Sequence, residues 1–108
     1  MSLPHRPFII EPFNWRGIAI EVRYTPSWLE SFETVFRRSL ALIEVTRLSP
    51  EHAVLPITET GYTSRFLAPD DVDACGGPTA YVKAWLDEAA ALPAWRKREI
   101  EARQMSLF

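Results

Sequence analysis

The chain has 108 residues, 47% apolar and 24% charged, with four Trp, six Phe and three Tyr. This length holds one domain with a core of its own, and the aromatic content argues against a disordered body. The formal net charge of −2 disfavours gripping duplex DNA with the whole surface, since that binding draws on a positive balance to neutralise phosphates.

Residues 1–7 carry two prolines and read as an extended arm. Residues 8–15 are aromatic-rich but interrupted by Pro12, which suits either an edge strand or an extended cover over the core. Residues 17–24 give the clearest strand: Ile18, Ile20, Val22 and Tyr24 alternate with Ala19, Glu21 and Arg23. Thr25-Pro26 reads as its end. Ser27 then reads as the cap of a helix with apolar positions Trp28, Phe32, Val35, Phe36 and Leu40, and Glu30 completes a capping box. The later part of that segment equally suits a backward extension of the next strand.

Residues 40–48 form the second strand candidate, and antiparallel pairing with the first would set Arg23 opposite Glu44. Ser49-Pro50-Glu51 makes a turn. Residues 62–66 give a third strand, with Pro56 confining the preceding apolar run to an edge or loop. Residues 69–75 look like one or two helical turns, with Pro69 at the first position, acids near the positive end and glycine after the last. Gly76-Gly77-Pro78 leads into a stronger helix with the apolar stripe Tyr81, Val82, Trp85, Leu86, Ala89 and Leu92. Pro93 opens a charged segment, residues 94–104, with Lys97–Glu101 and Glu99–Arg103 at i,i+4 spacing. Trp95 and Ile100 are its main apolar residues, so it reads as a solvated helix. The sum is an α+β fold: a small, mainly antiparallel sheet of about three strands, packed by C-terminal helices. Residues 1–93 would be the globular domain and residues 94–108 a charged helix with a docking tail.

Cys75 is the only cysteine, which fits a reducing compartment, and no apolar run is long enough for a leader or a membrane span. A cytoplasmic protein without a membrane partner is expected. His5, His52 and Cys75 lack metal-site spacing, and Asp70, Asp71 and Asp73 lack a calcium-loop glycine and a distal glutamate, so no metal or cofactor is expected. Residues 58–65 concentrate hydroxyls around Glu59 and Arg65. With Tyr62 these make a candidate ligand loop, Arg65 as anion anchor and Glu59 as acid or base; a turn using these groups for local hydrogen bonds is the plainer reading. Gly76-Gly77-Pro78-Thr79 could offer backbone amides to an anion but lacks the lysine of a P-loop. Trp95-Arg96-Lys97-Arg98 is a short basic cluster, diluted by the acids that follow.

The last five residues are Gln104, Met105, Ser106, Leu107 and Phe108. They resemble the peptide by which bacterial replication and repair proteins dock on the DNA sliding clamp, usually Gln-Leu-Ser/Asp-Leu-Phe. Gln104, Ser106, Leu107 and Phe108 match that pattern, and Met105 replaces leucine with a flexible side chain of similar volume. The resemblance implies that Gln104 fills a small polar subsite and that Leu107 and Phe108 fill the main hydrophobic pocket. Burial of each apolar anchor contributes about 1.5–3 kcal/mol, which with a few hydrogen bonds reaches micromolar affinity, about −8 kcal/mol. An apolar end packed on its own core is the alternative. The body also resembles small uncharacterised proteins of bacterial plasmids and mobile elements, through Asn14-Trp15-Arg16-Gly17-Ile18, through residues 56–62, and through Gly76-Gly77-Pro78 leading into Tyr81 and Trp85. The expected function is thus a noncatalytic adaptor of the clamp. A small interaction or regulatory domain of a mobile element with a structural tail comes second, and a small enzyme using residues 58–65 third.

Overall fold

The computed structural model of the chain describes residues 7–29 and 40–105, with backbone alone at 29 and 103–105. Four antiparallel strands lie in the order β1 (Ile9–Trp15), β2 (Ile18–Leu29), β3 (Leu40–Ser49) and β4 (Tyr62–Leu67). Three helices follow: α1 (Pro69–Cys75), α2 (Pro78–Ala90) and α3 (Pro93–Met105). The fold is α+β.

Alternation decides which side of the sheet is covered. Ile20, Val22 and Tyr24 point to one face, where the register sets Val22 beside Val45 and Tyr24 beside Ile43. On that face α2 lays down Val82, Leu86 and Ala90, one residue per turn, and α1 adds Val72. The opposite face carries a polar ladder. Arg23 sits across from Glu44, as the alternation predicts, with its Nε 3.7 Å from Glu44 Oε2. The guanidinium also lies over the Phe8 ring at 3.9 Å, and Tyr62 donates its hydroxyl hydrogen to Glu44 Oε1 at 2.8 Å.

Three expectations need correction. The sheet has four strands rather than about three, because the aromatic segment before Trp15 pairs along its whole length with β2. Pro12 is tolerated there since β1 is an edge strand. Thr25-Pro26 does not end β2, which runs on through Ser27 and Trp28 to Leu29. β1 starts only opposite Tyr24, and the β2–β3 register shifts between Thr25 and Leu29, so Pro26 lies where a missing N–H costs little. Trp28 packs on Phe66 across the sheet, with ring centroids 6.4 Å apart. Glu30, Phe32, Val35 and Phe36 of the expected helix lie outside the described residues, and Leu40 begins β3. Third, Leu92 leaves the apolar stripe: α2 ends at Ala90, and Leu92 sits exposed in the turn before Pro93.

The helix punctuation acts as read. Pro69 opens α1 with Asp70 and Asp71 in its first turn. Gly76 closes it at φ 99°, and the N–H groups of Gly76 and Gly77 return to Asp73 O and Val72 O.

Candidate functional site

The tail is reached through α3. This helix is held to the body near its start: Trp95 packs against the core, Arg98 Nη1 donates to Glu59 Oε1 at 2.7 Å, and Glu99 lies 3.5 Å from Arg16. Ile100, Glu101 and Ala102 beyond them are exposed. Among the described side chains Glu99 pairs with Arg16 on the β1–β2 turn, and the Arg103 side chain lies outside them. Gln104 and Met105 stand in the last turn of α3, and Ser106, Leu107 and Phe108 lie outside the described residues.

The ligand-loop candidates do not meet at one point. Glu59 is taken by Arg98 on α3. Tyr62 and Arg65 are three apart on one strand and so face opposite sides of the sheet. Tyr62 reaches Glu44 on the open face; that carboxylate, with partial burial, pushes its phenol above the ordinary range. Arg65 reaches the helix face, stacks on Trp85 at 4.0 Å and donates to the Tyr81 hydroxyl oxygen at 2.9 Å. The hydroxyls of Thr58 and Thr60 both donate to Tyr62 O, at 2.8 and 3.3 Å, which is local turn bonding. Among the described residues, no group of three or more His, Cys, Asp or Glu could hold a metal ion, and no helix is long and apolar enough to cross a membrane.

The start of α2 does receive an anion, and the chain supplies it. Glu11 Oε1 accepts hydrogen bonds from the Thr79 hydroxyl at 2.7 Å and the Thr79 N–H at 3.3 Å. A carboxylate from β1 thus satisfies an amide that the first turn leaves without an intrahelical partner.

A second arrangement escaped the reading of the sequence. Trp15 is buried and donates its indole N–H to Asp87 Oδ1 at 2.9 Å. The next residue, Arg16, has φ 50° and Gly17 has φ 82°, so both central residues of this two-residue hairpin turn have positive φ. Such turns favour Asn, Asp or Gly at the first position. An arginine there carries a left-handed backbone that costs about 1–2 kcal/mol. Its guanidinium lies 4.6 Å from the Trp15 ring centre and 3.5 Å from Glu99. Arg16, Asp87 and Glu99 border a cavity of about 310 Å³, together with Ala90, Ala91, Arg96 and Ile100. The signal available in the sequence was Arg-Gly between two alternating runs, a hairpin dipeptide with an unusual first member.

The family model for the KlcB third domain matches residues 11–95. The chain belongs to the KlcB third-domain family. The family match runs from Glu11 in β1 to Trp95 in the first turn of α3. It takes in Trp15, Arg16, Glu59, Tyr62, Arg65 and Asp87, while Arg96, Glu99 and residues 104–108 follow it. No curated protein and no solved structure matches the chain.

Proposed function

We propose that this KlcB third-domain chain is a noncatalytic adaptor. It docks on the bacterial DNA sliding clamp through Gln104, Met105, Ser106, Leu107 and Phe108, and modulates replication or repair in the cytoplasm. The observation that carries this reading is the clamp-type pentapeptide at the end of a helix whose later residues, Ile100, Glu101 and Ala102, are exposed. Among the described side chains, those that tie α3 to the body through packing or ion pairs, Trp95, Arg98 and Glu99, all precede Ile100. Docking in an extended form requires the last turn of α3 to open around Gln104 and Met105. The last four carbonyls of a helix have no intrahelical donors, so few bonds are lost in doing so. The domain competes for the clamp's peptide cleft or brings its own body to DNA.

Calorimetry with purified clamp tests this, using the intact chain, a chain ending at Arg103, and the double substitution Leu107→Ala with Phe108→Ala. The intact chain binds in the micromolar range, about −8 kcal/mol, and both variants bind at least about tenfold more weakly. Equal binding by all three, or by none, ends the clamp reading.

A second reading is a small interaction domain of a mobile element with a structural tail. The open sheet face, where Ile10, Tyr62 and Phe66 are about half exposed, supports it. A structural tail makes the chain ending at Arg103 melt at a lower temperature than the intact one; a docking tail leaves the melting temperature unchanged.

A further inference from the structure

The cavity between the β1–β2 turn and the α2–α3 corner is lined by charges of both signs in equal number. Arg16 enters from the turn, Asp87 from the last turns of α2, and Arg96 and Glu99 from one side of α3. These charges satisfy one another incompletely. The Arg16–Glu99 separation of 3.5 Å exceeds the usual length of a charge-assisted hydrogen bond. Asp87 commits one carboxylate oxygen to the Trp15 indole. The Arg96 guanidinium has no hydrogen-bond or ion-pair partner among the described residues, the backbone N–H alone donating to Leu92 O. Ala90, Ala91 and Ile100 supply the apolar part of the wall. The volume of about 310 Å³ lies at the small end of ligand-binding cavities.

We propose that this cavity is a binding site for a small zwitterion, with a free α-amino acid as the smallest ligand of the class. The ligand carboxylate lies between the guanidiniums of Arg16 and Arg96, which present forked donors suited to it. The ligand ammonium faces the carboxylates of Asp87 and Glu99, and a short apolar side chain rests on Ala90, Ala91 and Ile100. A simple anion would meet the two carboxylates, and a simple cation the two guanidiniums, so the lining discriminates against both. The left-handed backbone at Arg16 accords with this role: a residue poorly suited to the turn is held where its guanidinium borders the cavity.

Two-dimensional ¹H–¹⁵N spectra of the full chain, titrated with L-alanine, L-valine and L-leucine, read it directly. At least one gives saturable shifts at Arg16, Asp87, Glu99 and Ile100 below about 10 mM. N-acetyl-L-alanine, ethylamine and inorganic phosphate each bind at least about tenfold more weakly than the best amino acid. Arg96→Ala, on an exposed position, keeps the spectrum of the folded chain and weakens binding by about tenfold or more. Arg16→Asn, which suits the turn, raises the melting temperature and also weakens binding. The proposal is overturned by the absence of saturable shifts with all three amino acids. It is equally overturned by binding of the acetylated acid, the amine or phosphate as tight as that of the amino acid, or by unchanged binding in Arg96→Ala and Arg16→Asn.

Discussion

Trp15 at the end of β1 donates its indole N–H to the carboxylate of Asp87, 72 residues further along the chain and near the end of α2. The bond fixes how α2 lies along the sheet edge at one end, as the Glu11–Thr79 bonds do at the other. Replacement of Asp87 by alanine leaves a buried indole donor unsatisfied, which costs about 1–3 kcal/mol. Urea denaturation of Asp87→Ala, Trp15→Phe and the double variant isolates this term. A coupling energy near zero would show that the bond does not hold the helix.

Leu86 is fully buried on the side of α2 that meets β1 and β2. Leu86→Ala removes its transfer energy and leaves a cavity, so the unfolding free energy falls by about 2–5 kcal/mol. Leu92, exposed in the turn before Pro93, serves as the control; Leu92→Ala changes stability by less than about 0.5 kcal/mol. Equal losses at the two positions would contradict the division between core and turn.

Gly61 precedes β4 at φ 92°, and a Cβ built there would lie 2.6 Å from Arg47 Cζ. Arg47 cannot yield freely, since its Nη1 donates to Ala53 O at 2.8 Å and its own N–H to Gly61 O. Gly61→Ala therefore combines left-handed strain of about 1–2 kcal/mol with displacement of that guanidinium. Thermal melting of Gly61→Ala beside Gly61→Ala/Arg47→Ala separates the two contributions. A melting temperature equal to the parent's in the single variant would refute the close approach.

Two phenols titrate above their ordinary value of 10.0. Burial raises Tyr24, assisted by Asp73 and Asp70; the hydrogen bond to Glu44 raises Tyr62, assisted by burial. In both cases the folded state favours the neutral form. The associated stability is fully present below the unfolded value of 10.0 and is lost as pH rises through the folded values. Denaturation midpoints therefore decline above pH about 10, and Tyr24→Phe lessens the decline. An alkaline slope unchanged in both Tyr24→Phe and Tyr62→Phe would assign it to other groups.

Local pattern reached far into the fold. Alternation around Ile20, Val22 and Tyr24 gave β2 its buried face and set Arg23 opposite Glu44. Proline and glycine punctuation delimited α1 and the start of α2. The reading failed where a neighbouring strand outweighs local preference. Ser27 looks like a helix cap and Trp28 like a first helical anchor, yet both belong to β2, because Thr25 and Leu29 on either side pair with β3 and Trp28 meets Phe66 across the sheet.

The same division holds for the candidate sites. The pentapeptide from Gln104 to Phe108 is contiguous, so its likeness to a clamp ligand is a property of sequence alone. The grouping of Glu59, Tyr62 and Arg65 also came from adjacency, and the tertiary structure dispersed it: a strand sends Tyr62 and Arg65 to opposite faces, and α3 takes Glu59. The structure brought Arg16, Asp87, Arg96 and Glu99 to one cavity from a turn and two helices. Sequence by itself determined what depends on neighbours in the chain: strand alternation, helix ends, the charge balance and the composition of the tail. Only the tertiary structure decided which distant charges meet, because their distances are set by the packing of α2 and α3 on the sheet and leave no local periodicity to read.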